Sequence, residues 1–154
     1  MTKTTTFIAV LSCASAIAML ASVTVFVGPA SANGKPVTPE QLKHYHDVFM
    51  AAVKKGDLLF HGDPATQKEM GVTLSATGMS CAMCHPMASD THPQAFPKFQ
   101  ASMGEFVALR DMINWCIANP TQGTAIDPES EAMKDLEAYI TWENTGSVLV
   151  PGKY

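Results

Sequence analysis

Three side chains within five residues could do chemistry together: Cys81, Cys84 and His85, in the stretch Cys81-Ala82-Met83-Cys84-His85. Two thiols separated by two residues, with a histidine next, form the attachment signature of a c-type haem. The thiols add across the two vinyl groups of the porphyrin and make thioethers, and the two-residue spacer suits the distance between those vinyls. An imidazole just beyond the second thioether can reach the iron from one face. Other uses of paired cysteines fit less well. A structural zinc site needs four protein ligands, usually with a second Cys or His pair at close spacing, and none follows. A thioredoxin-like pair belongs at a strand-to-helix junction in a βαβ setting, and no such pattern surrounds this one. The motif occurs once in 154 residues, so the expectation is one covalent haem c, held by Cys81 and Cys84 and ligated by His85.

The elements that must position this group begin after an export signal. The chain opens with Met1-Thr2-Lys3 and an apolar run over residues 7–27, which ends in Gly28-Pro29-Ala30-Ser31-Ala32. Ala30 and Ala32 give the small-x-small pattern of a signal-peptidase site. Residues 1–32 therefore read as a cleaved signal peptide and 33–154 as a single monohaem domain. The run is also just long enough to span a bilayer, at about 20 residues, so membrane attachment is expected only if the segment is retained. A periplasmic location suits a covalent haem and an oxidising environment.

About 120 residues remain after such cleavage, the size of one small domain. Charged residues make up 16% of the chain and its formal charge is −4. An acidic balance argues against nucleic acid and permits a basic docking partner, here a redox partner protein. The cysteines are informative. Cys13 leaves with the signal, and Cys81 and Cys84 are consumed by thioethers. Cys116 is then left without an intramolecular partner. It is a buried small hydrophobe, a bridge to another chain, or a metal ligand. The oligomeric state is left open.

Periodicity supplies helices. Thr38-Pro39-Glu40-Gln41 reads as a capping box with proline in the first turn. Leu42, Tyr45, Val48, Phe49, Ala52 and Val53 follow as one apolar stripe. Gly56 interrupts or ends this helix, and residues 57–62 resume it for one turn. Gly56-x-x-Leu59-Phe60 resembles the first helix of small c-type cytochromes, where glycine permits close crossing by the last helix. Residues 73–78 read as loop. Pro86, Pro93 and Pro97 exclude regular helix after the haem motif. Residues 105–119 read as a helix with Phe106, Leu109, Met112, Ile113, Cys116 and Ile117 on its apolar face. Asp127 reads as the cap of a last helix, with Met133, Leu136, Tyr139 and Ile140 buried, ending near Asn144 and closed by Gly146. No convincing strand pattern appears. The expected fold is all-α, a cytochrome c-like helical fold around one covalently bound haem.

With these elements placed, a family resemblance emerges. Leu109-Arg110-Asp111-Met112-Ile113-Asn114-Trp115-Cys116 is followed by a turn containing Gly123. Ser130-Glu131-Ala132-Met133-Lys134-Asp135-Leu136-Glu137-Ala138-Tyr139-Ile140-Thr141-Trp142 comes next. Together they resemble the cytochrome c domains of the thiosulfate dehydrogenases and, more distantly, the cytochrome of the sulfur-oxidising Sox system. Such domains carry the haem motif, a helix with Ile-Asn-x-Cys, and a last helix with Met and Tyr-Ile/Met-x-Trp. The likeness covers residues 78–142. It implies that Cys116 is the second axial ligand, a thiolate opposite His85. The position of Cys116 on an apolar helix face, and its status as the one unexplained thiol, agree with this.

Methionine is the rival ligand. Met79, Met83, Met87, Met103, Met112 and Met133 are all available. Met83 and Met87 lie too close to the motif, and Met133 reads as core filler. Met103 and Met112 stay in contention. The choice sets the chemistry. A thiolate stabilises ferric iron and lowers the potential, whereas a thioether favours ferrous iron and raises it. The resemblance implies sulfur chemistry at a His/Cys haem. This chain carries one haem motif where the enzymes carry two, which favours a carrier or subunit over an independent enzyme.

The remaining candidates read more blandly. His44 and His46, two apart on a helix, do not share a face. His61 and His92 hydrogen-bond a propionate or lie in solvent, and Trp115 and Trp142 are packing residues. No Ser-His-Asp set, phosphate loop or basic aromatic patch is visible, so no catalytic residue is assigned. The leading expectation is a periplasmic monohaem cytochrome that transfers single electrons, with a role in sulfur-compound oxidation. The rival is an enzyme or enzyme subunit that oxidises thiosulfate to tetrathionate. A third reading is a structural or sensing haem.

Overall fold

The capping box at Thr38 starts helix α1, Pro39–Phe60, in the computed structural model, which describes residues 36–153. Thr38 Oγ1 accepts the Gln41 N–H at 3.2 Å, and the Gln41 side chain accepts the Thr38 N–H at 2.9 Å. Helix α2, Pro64–Glu69, is capped by Asp63, whose carboxylate accepts both the backbone N–H and the hydroxyl of Thr66 at 2.7 Å. A single turn, α3 (Cys81–Cys84), then α4 (Leu109–Ala118) and α5 (Glu131–Glu143) complete the helices. The signal segment and Cys13 lie outside the described residues. Among the described residues no helix is long and apolar enough to cross a membrane.

Gly56 neither ends nor interrupts α1. It is the crossing point with α5. A Cβ there would stand 1.9 Å from the Asp135 carbonyl oxygen and 2.8 Å from Tyr139 Cβ. The backbones can approach this closely only because position 56 has no side chain. Around the crossing, Leu59 and Phe60 meet Met133, Leu136, Tyr139 and Ile140 in the buried core, with the Phe60 and Tyr139 rings 5.1 Å apart. Lys55 and Glu131 pair across its edge at 2.7 Å.

The apolar stripe on the first half of α1 is not core. Leu42, Tyr45, Val48 and Phe49 are exposed, and burial begins at Val53. At 1.5 Å per residue α1 is about 33 Å long and α5 about 20 Å. The helices cross near Gly56, so the early turns of α1 extend beyond most of their partner. Phe49 meets the edge of Trp142, with centroids 6.0 Å apart.

The helix expected over 105–119 starts later. Residues 105–107 form a strand, in a hairpin of β1 (Lys98–Gln100) and β2 (Glu105–Val107). The register pairs Lys98 with Val107 and Phe99 with Phe106. Phe106 therefore stands exposed beside Phe99 rather than on the core face of a helix. The Asp111 carboxylate accepts the Ala108 N–H at 2.7 Å and fixes the true helix start. Three-residue strands carry too few alternations to register as a period of two. The cap of α5 also differs from the expectation: Ser130 accepts the Met133 N–H at 3.2 Å, while Asp127 accepts the Glu129 N–H. Helices still dominate, so the helical fold class stands.

Asp135 is 4% exposed, and its Oδ2 has no hydrogen-bond partner among the described residues. Burial, helped by Glu131 and opposed by Lys55, pushes its pKa up to about 6. The folded state thus binds a proton more tightly than the unfolded chain, and stability falls as pH rises from about 4 to about 6. Asp135→Asn should flatten this slope and stabilise the protein above pH 6 by on the order of 2 kcal/mol, read as the variant-minus-wild-type difference in urea unfolding across pH. Gly56→Ala should cost about 3 kcal/mol in the same assay, because the helices must separate to admit a methyl group.

Candidate functional site

Helix α3 places Cys81 and Cys84 at its first and last positions, three residues apart and therefore on one side of the turn. Cys81 leans on the core, and Cys84 is exposed. His85 leaves the helix at φ −127° and ψ 69°, its N–H still bonded to the Cys81 carbonyl at 2.9 Å. Its Nδ1 lies 2.9 Å from the Ser89 carbonyl oxygen. A carbonyl can only accept, so Nδ1 carries the proton and Nε2 keeps a free lone pair. This is how a protein prepares an imidazole to ligate a metal.

The Ser89 carbonyl is set by a loop of unusual backbone. Met87, Ala88, Asp90 and His92 all have φ between 47° and 59°, a left-handed region that non-glycine residues seldom occupy and that costs roughly 1–3 kcal/mol per residue. The prolines do exclude α-helix here, leaving 3₁₀ turns at Pro86–Ala88 and Pro93–Ala95. The loop is held from two sides. Thr91 Oγ1 donates to the Ala88 carbonyl at 2.7 Å. Asn144, one residue past α5, donates to the same carbonyl at 3.2 Å and to that of Ile140 at 2.9 Å.

Helix α4 supplies a further part of the wall. Cys116 and Met112, one turn apart, line a largely apolar cavity together with Phe60, Cys81, His85 and Leu136. Of the two rival methionines, Met112 lines this cavity. Met103 sits in the hairpin turn, where its N–H bonds the Gln100 carbonyl. His92 also lines the cavity, whereas His61 Nδ1 lies 2.8 Å from the Asp57 carboxylate outside it.

Polar residues fix the distance between the walls. Asn114 donates to the Ile126 carbonyl at 2.8 Å and accepts the Ile126 N–H at 2.9 Å. Arg110 reaches both oxygens of Glu137 on α5. Thr121 Oγ1, just past α4, donates to the Leu74 carbonyl at 2.6 Å, so the loop leading into Cys81 is tied to the end of the helix that carries Cys116. Gly123 permits that tie, since a Cβ there would meet Leu74 backbone at 2.5 Å. Sequence reading quoted Asn114 within the Ile-Asn-x-Cys element but gave it no task, and it missed Asn144 and Thr121. A polar side chain on the inner face of a helix or just past its end was the available signal.

The thiols are poorly suited to act by themselves. Burial first, and then the nearby Cys116, pushes the Cys81 thiol up to about 11. Burial also raises Cys116, with Cys84 adding to it. Both are protonated at neutral pH. Among the described residues no three His, Cys, Asp or Glu side chains converge as a metal cage. The donor set instead suits a planar metal macrocycle: two thiols on one turn for attachment, an imidazole of fixed tautomer, and a soft sulfur from α4 lining the same cavity.

A helical fold wrapped around such a cavity, entered by a Cys-x-x-Cys-His turn, defines a c-type cytochrome. The chain belongs to the SoxA/TsdA cytochrome c domain family, whose model matches residues 72–149. It is 26% identical over 125 residues to the thiosulfate dehydrogenase of Psychrobacter arcticus, an alignment covering 75% of this chain and 37% of the relative. The solved thiosulfate dehydrogenase TsdBA of Marichromatium purpuratum, in its as-isolated form, shares the fold with a TM-score of 0.52 and 20% identity, over 78% of this chain and 26% of that one. The chain thus spans well under half the length of both. A cytochrome c domain carries covalently bound haem c, and the donor set fits that group.

Asn114→Ala should leave the N–H and carbonyl of Ile126 without partners and cost roughly 2 kcal/mol in urea unfolding of the haem-loaded protein.

Proposed function

We propose that this chain is an exported monohaem c-type cytochrome that passes single electrons in sulfur-compound oxidation. Its haem is attached through Cys81 and Cys84, with His85 and Cys116 as axial ligands. The observation that carries the reading is the His85 Nδ1 hydrogen bond to Ser89, which leaves Nε2 as the nitrogen available to a metal, in a residue that lines the same cavity as Cys116. When bound, the haem supplies a ferric/ferrous couple. The protein's part is to tether it, to orient His85 and to present sulfur from α4. As a thiolate, Cys116 would hold the potential low. The partner is a redox protein, and the location is the periplasm.

A second reading follows from the printed names of the relatives, which are thiosulfate dehydrogenases. In it the chain is an enzyme or subunit that converts thiosulfate to tetrathionate. The carrier role suits a one-electron centre, which must hand on each electron before it takes the next.

Near-infrared magnetic circular dichroism of the ferric protein tests the ligand set. A thiolate-type charge-transfer band should be present, vanish in Cys116→Ser and survive in Met112→Leu. Loss of the axial band only in Met112→Leu would replace Cys116 by methionine. Steady-state assays with thiosulfate and an artificial acceptor separate the two functions: sustained turnover by the purified chain would overturn the carrier reading.

A further inference from the structure

The cavity wall holds a buried cation that the assignment above does not use. Lys98, on β1, is 8% exposed and lines the same cavity as His85 and Cys116. Its ammonium stands 4.8 Å from the centroid of the Phe96 ring. That cation–π contact is a partial substitute for water and no substitute for a counter-charge. The other described ion pairs of lysine or arginine, at Lys43, Lys55 and Arg110, each engage a carboxylate. Lys98 engages none among the described residues. Asp90, also on the cavity rim, is exposed and makes no ion pair with it. A lysine more than nine-tenths buried as a residue, lining a largely apolar space with no carboxylate partner, is placed to take an anion in that space. Thr91, His92 and Gln100 also line the cavity.

We propose that Lys98 is an anion-binding residue, whose ammonium takes an anionic oxygen group held inside the cavity beside Phe96. Two sources offer that chemistry: a propionate carboxylate of the haem, or a small sulfur oxyanion standing near Cys116. The inference rests on the cavity assigned under the proposed function and adds to it the group that neutralises the wall.

The test uses the haem-loaded protein with Lys98→Gln, which removes the charge, and Lys98→Arg, which keeps it. Lys98→Met, which retains the buried alkyl stem, serves as a second neutral variant if the glutamine form folds poorly. In the propionate case, the propionate bending mode in resonance Raman spectra should shift in the neutral variants and return in Lys98→Arg. In the oxyanion case, calorimetric titration with thiosulfate should give saturable binding that weakens at least tenfold in the neutral variants and recovers in Lys98→Arg. An unchanged Raman mode together with unchanged or absent thiosulfate binding would overturn the proposal. A pyridine haemochrome spectrum lacking the thioether-haem band would sink the proposed function instead, while calorimetry would still decide whether Lys98 binds the oxyanion.

Discussion

The close crossing of α1 and α5 at Gly56 is the constraint from which the site is built. The backbones there are near enough that a methyl group on residue 56 would overlap the Asp135 carbonyl. That contact fixes where α5 lies, and α5 carries the supports of both cavity walls. Its C-terminal neighbour Asn144 holds the Ala88 carbonyl, and so the loop whose Ser89 carbonyl orients His85. Its Glu137 receives Arg110 from α4, the helix of Cys116. The approach also has a cost. Asp135 is trapped in the crossing with an oxygen that no described residue satisfies, a buried acid that weakens the fold above its pKa.

The strained loop after His85 shows a similar exchange. Four non-glycine residues held in left-handed conformations would not persist in a free peptide. They persist here because Thr91 and Asn144 hold the loop and because Pro86 and Pro93 leave it no helical alternative. The result is an acceptor held at one place beside Nδ1. An imidazole fixed through Nδ1 leaves Nε2 with a known tautomer, which removes freedom that a ligand would otherwise lose on binding iron.

The cavity is electrically simple. Its imidazole has a fixed tautomer, and Lys98 and the exposed Asp90 bring charge to a lining otherwise rich in Phe, Leu and Ile. In low-dielectric surroundings one charge acts over the whole space, so the potential of any centre seated there is sensitive to each charged group on the lining. Membership of the SoxA/TsdA family over residues 72–149 covers the haem motif, α4 and α5. The Gly56 crossing depends on α1, which precedes that stretch.

Spacing and residue type determined much by themselves. The Cys-x-x-Cys-His turn, the capping box at Thr38, the apolar faces of α4 and α5 and the glycine of α1 are local patterns, and each depends on residues at most a few turns apart. The sequence also singled out Cys116 by arithmetic, as the one thiol with nothing to do. Contacts between distant residues were decided only by the tertiary structure. The first half of α1 carries a sound amphipathic stripe, yet it stays exposed because the helix is longer than its partner. Phe106 fits a helical period, yet it lies in a strand because Asp111 starts the helix later and Lys98–Gln100 is at hand to pair. Lys98 took no part in the sequence reading. Its burial follows from hairpin register and from the neighbouring loop, and neither leaves a trace in its own local sequence.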